Sequence, residues 1–400
     1  MGEISDGRER VLTIGVAVAR SGRLASLGDP LDFVTRLLEP TLSGLGPTGY
    51  RIRLAARDTR SSAAGARQAV RELARDEDAK IILTLAGTEV LPAVADACEA
   101  LGVPCLSSTF PWQVYYYGRG ADDAHPFDWT YHFCWGLDGI ADTFADLWER
   151  ADGGGQQAVG CLWNDGPQGT WSRHPQHGFA PTARARGHHL VDPEPYREPV
   201  TGLEGHISAF REAGTDIVTS AATGQDLGLF RAQAAGAGWQ PRLITCSRWL
   251  AYPPSVSSTG RRPAQADVAT LVYWTPSHPY RSSFDGTTTA ELAEAYEQGT
   301  GRQWLQPLGL AYALFEVATH ALTAAEDPAD RRCVADTLGR TRLDTIAGPL
   351  DWTAGPVPNV ATVALAGGQW QQGTRHDYEL TVVTSGQVDQ LPVGGDLITT

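Results

Sequence analysis

Lysine is almost missing from this chain: Lys80 is the single one among 400 residues, and arginine carries the rest of the positive charge. A phosphate-binding G-x-x-x-x-G-K-[ST] loop is therefore excluded. No G-x-G-x-x-G follows the first apolar run, where ARSGRLASLG stands instead, and no G-x-S-x-G elbow occurs. No window reaches the roughly 18 uninterrupted apolar residues of a membrane-spanning helix. None of the six cysteines forms a C-x-x-C pair. Most lie in apolar runs and read as buried thiols behaving as small hydrophobes. Cys98 and Cys105, on a helix and the strand beneath it, are the one pair a disulfide could join. His174 and His177 could share a helix face, but Pro175 stands between them with no carboxylate nearby, so they read as surface histidines and not as metal ligands. No local motif supports a nucleophile–base set. The reading is a protein that is not an enzyme, with no cofactor and no metal.

The chain is acidic, with a formal net charge of −14. That balance argues against a nucleic-acid partner and against docking on anionic lipid. Hydrophobic residues at 42% and charged residues at 20% are ordinary for a globular protein. A length of 400 residues points to two lobes. The first residues, MGEISDGRER, are polar, with no apolar signal core and no lipidation cysteine. Either the protein is cytosolic, or this is a mature form whose export signal has been removed.

The pattern alternates regularly. VLTIGVAVA (11–19) is a continuous apolar run, as a parallel strand buried on both faces requires. DPLDFVTRLLEPTL follows with helical spacing. Strands come next at 51–58, 80–87 and 103–108, separated by helical segments at 61–76 and 88–101. Ser61-Ser62 open the 61–76 segment as an N-cap pair. This is β-α-β-α-β-α-β, a doubly wound parallel sheet. Residues 111–129, rich in Tyr, Pro, Gly and Asp, break the pattern. It restarts at 130, giving a second α/β lobe over about 131–250. A further strand is expected at 267–274, then helices at 286–300, 307–326 and 330–341. The chain closes in β-like pieces.

In the order and spacing of these strings the chain resembles the type I periplasmic-binding-protein family, the solute receptors of ABC importers of the branched-chain amino acid type. The resemblance runs from about 11 to 372. It is carried by IGVAVARSGRLASLG, by RLAARDTRSSAAGARQAVRELARDEDAKIILTLAGTEVLPAVADACEALGVPCLSS, by AVGCLWNDGPQG, by TDIVTSAATGQDLGLFRAQAAGAGWQPRLITCS, and by LAYALFEVATHAL with IAGPLDWT. It implies two doubly wound α/β lobes joined by three hinge crossings, with a ligand cleft between them. The lobes would be 1–130 plus 267–330 and 131–266 plus 331–400. It also implies a monomer outside the cytoplasm that captures a small ligand by lobe closure and hands it to membrane permease subunits. A cytosolic ligand-sensing regulator of the same fold is the alternative.

The candidate ligand residues stand where strands run out. A helix starting at Thr88 would leave N–H groups unpaired, and with the helix dipole these favour a carboxylate. Thr88 adds a hydroxyl, and Ser108 and Thr109 add more. The competing reading is that these hydroxyls only cap helices and turn the chain. The resemblance gives Thr88 and the Ser108–Phe110 loop to the carboxylate and amino groups of amino acid ligands. Glu89, where a small hydroxyl residue is common, either opposes a bound carboxylate or points away. Phe110 and Trp112 are bulkier than the family pattern and point to an apolar or aromatic part of the ligand. In the second lobe, Gln168 and Thr223 stand at positions that are often aromatic. Arg248 and Trp249 stand where an acid pairing the ligand ammonium is frequent, and an Arg fork there suits a carboxylate. Arg20 lines the mouth of the cleft in the family layout. The ligand expected is amino acid-like, or an aromatic or polar carboxylate or amide.

Overall fold

The computed structural model describes residues 10–248 and 268–400. In chain order the strands are β1 (Arg10–Val18), β2 (Tyr50–Asp58), β3 (Ala79–Leu85), β4 (Cys105–Ser108), β5 (Thr130–Phe133), β6 (Ala158–Leu162), β7 (His189–Val191), β8 (Ile217–Ser220), β9 (Leu243–Cys246), β10 (Ala269–Val272), β11 (Arg342–Thr345), β12 (Gly348–Asp351), β13 (Val360–Ala361), β14 (Ala366–Gln372) and β15 (Tyr378–Thr384). The helices are α1 (Ala25–Leu42), α2 (Ala63–Arg75), α3 (Leu91–Leu101), α4 (Trp112–Tyr116), α5 (Leu137–Asp152), α6 (Pro167–Ser172), α7 (Ala180–Ala185), α8 (Glu204–Glu212), α9 (Gly224–Gly236), α10 (Thr289–Thr300), α11 (Pro307–Ala324) and α12 (Arg331–Leu338).

The chain divides into two compact α/β units. The first comprises the described part of Met1–Cys134 with Tyr280–Thr288 and Pro307–Val363. Its sheet has the order β13-β5-β4-β3-β1-β2, and every pairing is parallel. A parallel sheet is covered on both faces, so its strands are continuous apolar runs. Strand β1 accordingly stays buried from Leu12 to Val18. On α2 the buried residues are Ala66, Ala69, Val70, Leu73 and Ala74, a stripe at helical spacing. The Ser62 hydroxyl caps this helix by accepting from Gly65 N at 3.1 Å. Helix α3 ends at Gly102, whose φ of 64° makes the left-handed turn that sends the chain into β4.

The second unit comprises the described part of Trp135–Pro279 with Thr289–Gln306 and Ala364–Thr400. Its sheet has the order β15-β14-β10-β9-β8-β6-β7. Strands β7, β6, β8, β9 and β10 are parallel, while β14 and β15 add an antiparallel edge.

Several sequence expectations are corrected. The strand expected within 267–274 is β10, and it belongs to the second sheet, not the first lobe. Residues 331–363, assigned above to the second lobe, pack in the first unit, where β13 extends the sheet beside β5. The chain passes between the units after Cys134, Pro279, Thr288, Gln306 and Val363, not three times. The extra pair arises because 280–288 is anchored in the first unit: Ser283 N and Oγ both donate to Glu316. Between β6 and β7 the chain forms two short helices, α6 and α7. Among the described residues, no helix is long and apolar enough to cross a membrane. All six cysteines are free thiols, Cys98 and Cys105 included.

Candidate functional site

In an open parallel sheet, ligands bind outside the carboxyl ends of the strands, where the strand order reverses. In the first unit the chain moves from β1 outward to β2, then returns to place β3 on the other side of β1. The reversal therefore lies between β1 and β3, at the loops 19–24 and 86–90. In the second unit β7 and β8 flank β6, so the reversal lies at the loops following β6 and β8. Arg20 and Thr88 occupy the first pair of loops; Gln168 and Thr223 stand at the second.

The loop after β1 is held by Asp58, the last residue of β2. Its carboxylate accepts from Arg20 N at 2.9 Å, Ser21 N at 3.4 Å, Ser21 Oγ at 2.6 Å and Arg60 N at 2.8 Å. Burial pushes the Asp58 carboxyl up, but the bonds from Ser21, Arg60 and Arg20 outweigh it and leave the pKa below its usual value. Ser61 Oγ completes the brace, donating to Ser21 O at 2.5 Å and accepting from Leu24 N at 3.0 Å. The Arg20 side chain is committed to Asp32, with Nε to Oδ1 at 2.6 Å. Sequence reasoning missed Asp58 as the organiser of this loop, although "strand ending in Asp" was readable in RLAARD.

Helix α3 starts at Leu91, not at Thr88. A turn precedes it, with Val90 N and Leu91 N both donating to Gly87 O at 3.2 and 3.1 Å. The helix has no side-chain cap. Thr88 is thus not a capping residue: its half-buried hydroxyl has no partner among the described residues, and the N–H groups of Gly87, Thr88 and Glu89 have no protein acceptor among them. Glu89 turns away to an exposed ion pair with Arg23. This leaves a cluster of donors at the switch point with no carboxylate set against them.

The next turn differs from expectation. Ser108 is fully buried, and its Oγ donates to Phe133 O at 2.7 Å. Its side chain is a tie to β5 that no ligand reaches. Phe110 and Trp112 are 5% and 7% exposed and belong to the hydrophobic core with Leu24, Tyr115 and Tyr116. The bulk read as ligand-facing is packing. Thr109 remains at the surface of the turn, with φ at +80°, a left-handed conformation that a β-branched residue rarely takes. Its Oγ1 donates to Ser108 O. The turn is held from beneath by His132 on β5, which sequence reasoning missed.

In the second unit, Gln168 lies in α6, half-buried, with no partner for its side-chain amide among the described residues. The loop before it is fixed by Asn164, whose Oδ1 accepts from Gly166 N and Gly169 N at 3.1 and 3.0 Å. Thr223 is the N-cap of α9, accepting from Asp226 N at 3.1 Å, so the capping reading holds for it. Arg248 is not free for a ligand carboxylate. Its Nη1 binds both oxygens of Glu198, at 2.6 and 2.8 Å, and Glu198 also accepts from Asn164 Nδ2 at 2.7 Å. Glu198 lies in an aperiodic loop that gave no signal in the sequence. Close by, burial first and then the charges of Glu198 and Asp226 push the Tyr196 phenol far up. Trp249 lies outside the described residues.

With this geometry in place, comparison with known proteins is decisive. The profile of the periplasmic binding protein family matches residues 11–374. The chain belongs to that family. This periplasmic binding protein is also similar in fold to solved solute receptors. A leucine-binding protein LivK from Thermotoga maritima superposes with a TM-score of 0.70 at 16% identity, over 93% of this chain and 98% of that one. An ABC-transporter solute-binding protein from Rhodopseudomonas palustris in complex with 3,4-dihydroxybenzoic acid gives 0.71 at 16% identity, over 96% and 98%. The branched-chain amino acid substrate-binding protein LivJ of Streptococcus pneumoniae, in complex with isoleucine, gives 0.69 at 14% identity, over 93% and 100%. At these identities the likeness is one of fold. No curated protein sequence matches the chain.

Proposed function

We propose that this chain is the solute-binding receptor of an ABC importer, acting outside the cytoplasm and delivering a small organic ligand to membrane permease subunits. Capture by lobe closure is part of the proposal. The ligand carries a carboxylate and is either amino acid-like or an aromatic acid, the two classes met among the structural relatives. The observation that carries the reading is the donor cluster at the first unit's switch point. Thr88 Oγ1 and the N–H groups of residues 87–89 stand there unpartnered among the described residues, in the turn that leads into the N-terminus of α3, whose dipole favours an anion. The order in which the site residues contribute is then Thr88 first and Thr109 after it in the first unit, Gln168 as the open side chain of the second unit, and Arg20, Thr223 and Arg248 as residues that hold loops. The regulator alternative has no observation in its favour.

The test is a thermal-shift and calorimetric panel of leucine, isoleucine, 4-hydroxybenzoate and 3,4-dihydroxybenzoate. A true ligand at 100 times its Kd adds about 2.7 kcal/mol of stability. Thr88→Val removes one hydrogen bond to a charged group, about 1.5–3 kcal/mol, and so weakens that ligand roughly 10- to 100-fold. Undiminished binding by Thr88→Val would remove the donor cluster from the site.

A further inference from the structure

Thr109 holds a conformation that its own sterics oppose. Such strain persists only where the surroundings over-determine it, and it concentrates at ligand clamps. Thr109 Oγ1 donates to Ser108 O and to Ala86 O at 3.4 Å, Phe110 is packed in the core, and one imidazole holds the turn from beneath. His132 is fully buried on β5, directly across from Ser107 on β4. Its Nε2 lies 2.7 Å from Phe110 O and its Nδ1 lies 2.9 Å from Ser107 Oγ. A neutral imidazole has one donor and one acceptor. The carbonyl can only accept, so Nε2 carries the proton and Ser107 donates to Nδ1. Burial keeps the ring neutral, with a pKa lowered to about 3. The Tyr115 ring stacks on it with centroids 4.1 Å apart and planes 10° from parallel, which fixes its orientation.

We propose that His132 is a positioning residue for ligand binding: the chain Ser107 Oγ–His132–Phe110 O locks the Phe110–Pro111 peptide, one residue beyond Thr109, and together with the Thr109 Oγ1 bonds to Ser108 O and Ala86 O holds Thr109 in its left-handed, ligand-facing form. The ligand part of this inference rests on the function proposed above; the conformational part does not.

Three variants decide it. His132→Phe keeps a ring against Tyr115 and removes the donor to Phe110 O. His132→Gln keeps an N–H donor at a similar reach. Ser107→Ala loosens the imidazole without touching it. In a crystal structure of His132→Phe, Thr109 is expected to relax to negative φ, whereas His132→Gln keeps it positive. Thr109→Gly supplies a second reading. In the wild type it relieves strain and raises Tm; in the His132→Phe background it only adds chain entropy and lowers Tm. Should His132→Phe fail to fold, the same cycle with Ser107→Ala is expected to shrink the benefit of Thr109→Gly. Thr109 staying at positive φ in His132→Phe, or equal Thr109→Gly shifts in every background, would overturn the inference. For whichever of isoleucine or 4-hydroxybenzoate binds the wild type, His132→Phe is expected to weaken binding at least tenfold and His132→Gln to restore it. If Thr88→Val weakens binding and His132→Phe does not, the inference falls while the proposed function stands. If neither probe binds the wild type, the structural and Tm arms still decide.

Discussion

Glu316 gives the sharpest stability test of the first unit. It sits in the middle of α11, 1% exposed, in a helix whose surroundings are almost wholly apolar. Its Oε1 accepts from Ser283 N at 2.5 Å and Ser283 Oγ at 2.8 Å, and its Oε2 accepts from Ile346 N at 3.0 Å. One carboxylate therefore ties α11 to the 280–288 segment and to the turn between β11 and β12. A carboxylate is the side chain that can accept all of these bonds at once. Desolvation is the largest influence on its pKa and raises it; the bonds from Ser283 and Ile346 pull it back only in part, and Asp285 adds to the rise. The balance leaves the group at about 7, against 4.5 for a free glutamate. The sign follows. The folded state binds this proton more tightly than the unfolded chain does, so the stability contributed is full below the unfolded value. It is lost as pH rises through the folded value.

The difference between 4.5 and about 7, at about 1.4 kcal/mol per pKa unit, is worth roughly 3 kcal/mol in total. Most of it, roughly 2 to 3 kcal/mol, is lost between about pH 5 and pH 8. Glu316→Gln removes the titration. It also turns an amide NH2 toward a backbone donor, a cost of about 1–3 kcal/mol that is the same at every pH. The absolute stability of the variant is thus a mixture, whereas its pH slope is clean. Urea unfolding of both proteins across that range should show the wild type losing roughly 2 to 3 kcal/mol relative to the variant. Parallel curves would show that Glu316 stays ionised throughout, and that its three hydrogen bonds outweigh its burial.

Two further outcomes follow from the second unit. Thr223→Ala removes the cap of α9 and should lower stability by about 1 kcal/mol in chemical denaturation, with ligand affinity little changed if capping is its whole role. Arg248→Ala leaves the Glu198 carboxylate, 23% exposed, with Asn164 as its remaining hydrogen-bond partner among the described residues. It should cost roughly 1–3 kcal/mol, below the range for breaking a fully buried pair because solvent reaches this one. The double variant Arg248→Ala/Glu198→Ala should recover part of that loss, as read from a double-mutant cycle.

Much of the fold was legible because it rests on local rules. Continuous apolar runs such as VLTIGVAVA have no stable place except a strand covered on both faces, and the helices between them carry their own apolar stripes. What was not legible depends on partners distant in sequence. The strand near 270 reads as apolar in either lobe; only its pairing with β9 and β14 assigns it. Phe110 and Trp112 read as ligand-facing because they follow a strand end, yet the same position lets them fold back into the core cluster that also holds Leu24 and Tyr115. Arg248 read as a free fork because nothing in the sequence ties it to Glu198, fifty residues earlier.

Hydroxyl residues at strand ends were the pattern that drew attention to the site, and the structure separates them by where their protons go. Ser107 donates to His132, Ser108 to β5, Ser21 to Asp58 and Ser61 to the loop after β1. Each is spent on joining two pieces of backbone that meet at the rim, where the sheet's own ladder has stopped and cannot join them. Composition cannot distinguish such a tie from a ligand contact, because both need a small hydroxyl at the same place. Partnering narrows the choice: buried polar groups are mostly bonded within the fold, although Thr59 Oγ1 and Thr319 Oγ1 of the first unit are buried without a partner among the described residues. Thr88 is half-buried at the switch point and keeps its hydroxyl open, with three backbone N–H groups beside it. The fold spends bonds on its neighbours and none on Thr88, which is the arrangement a binding residue requires.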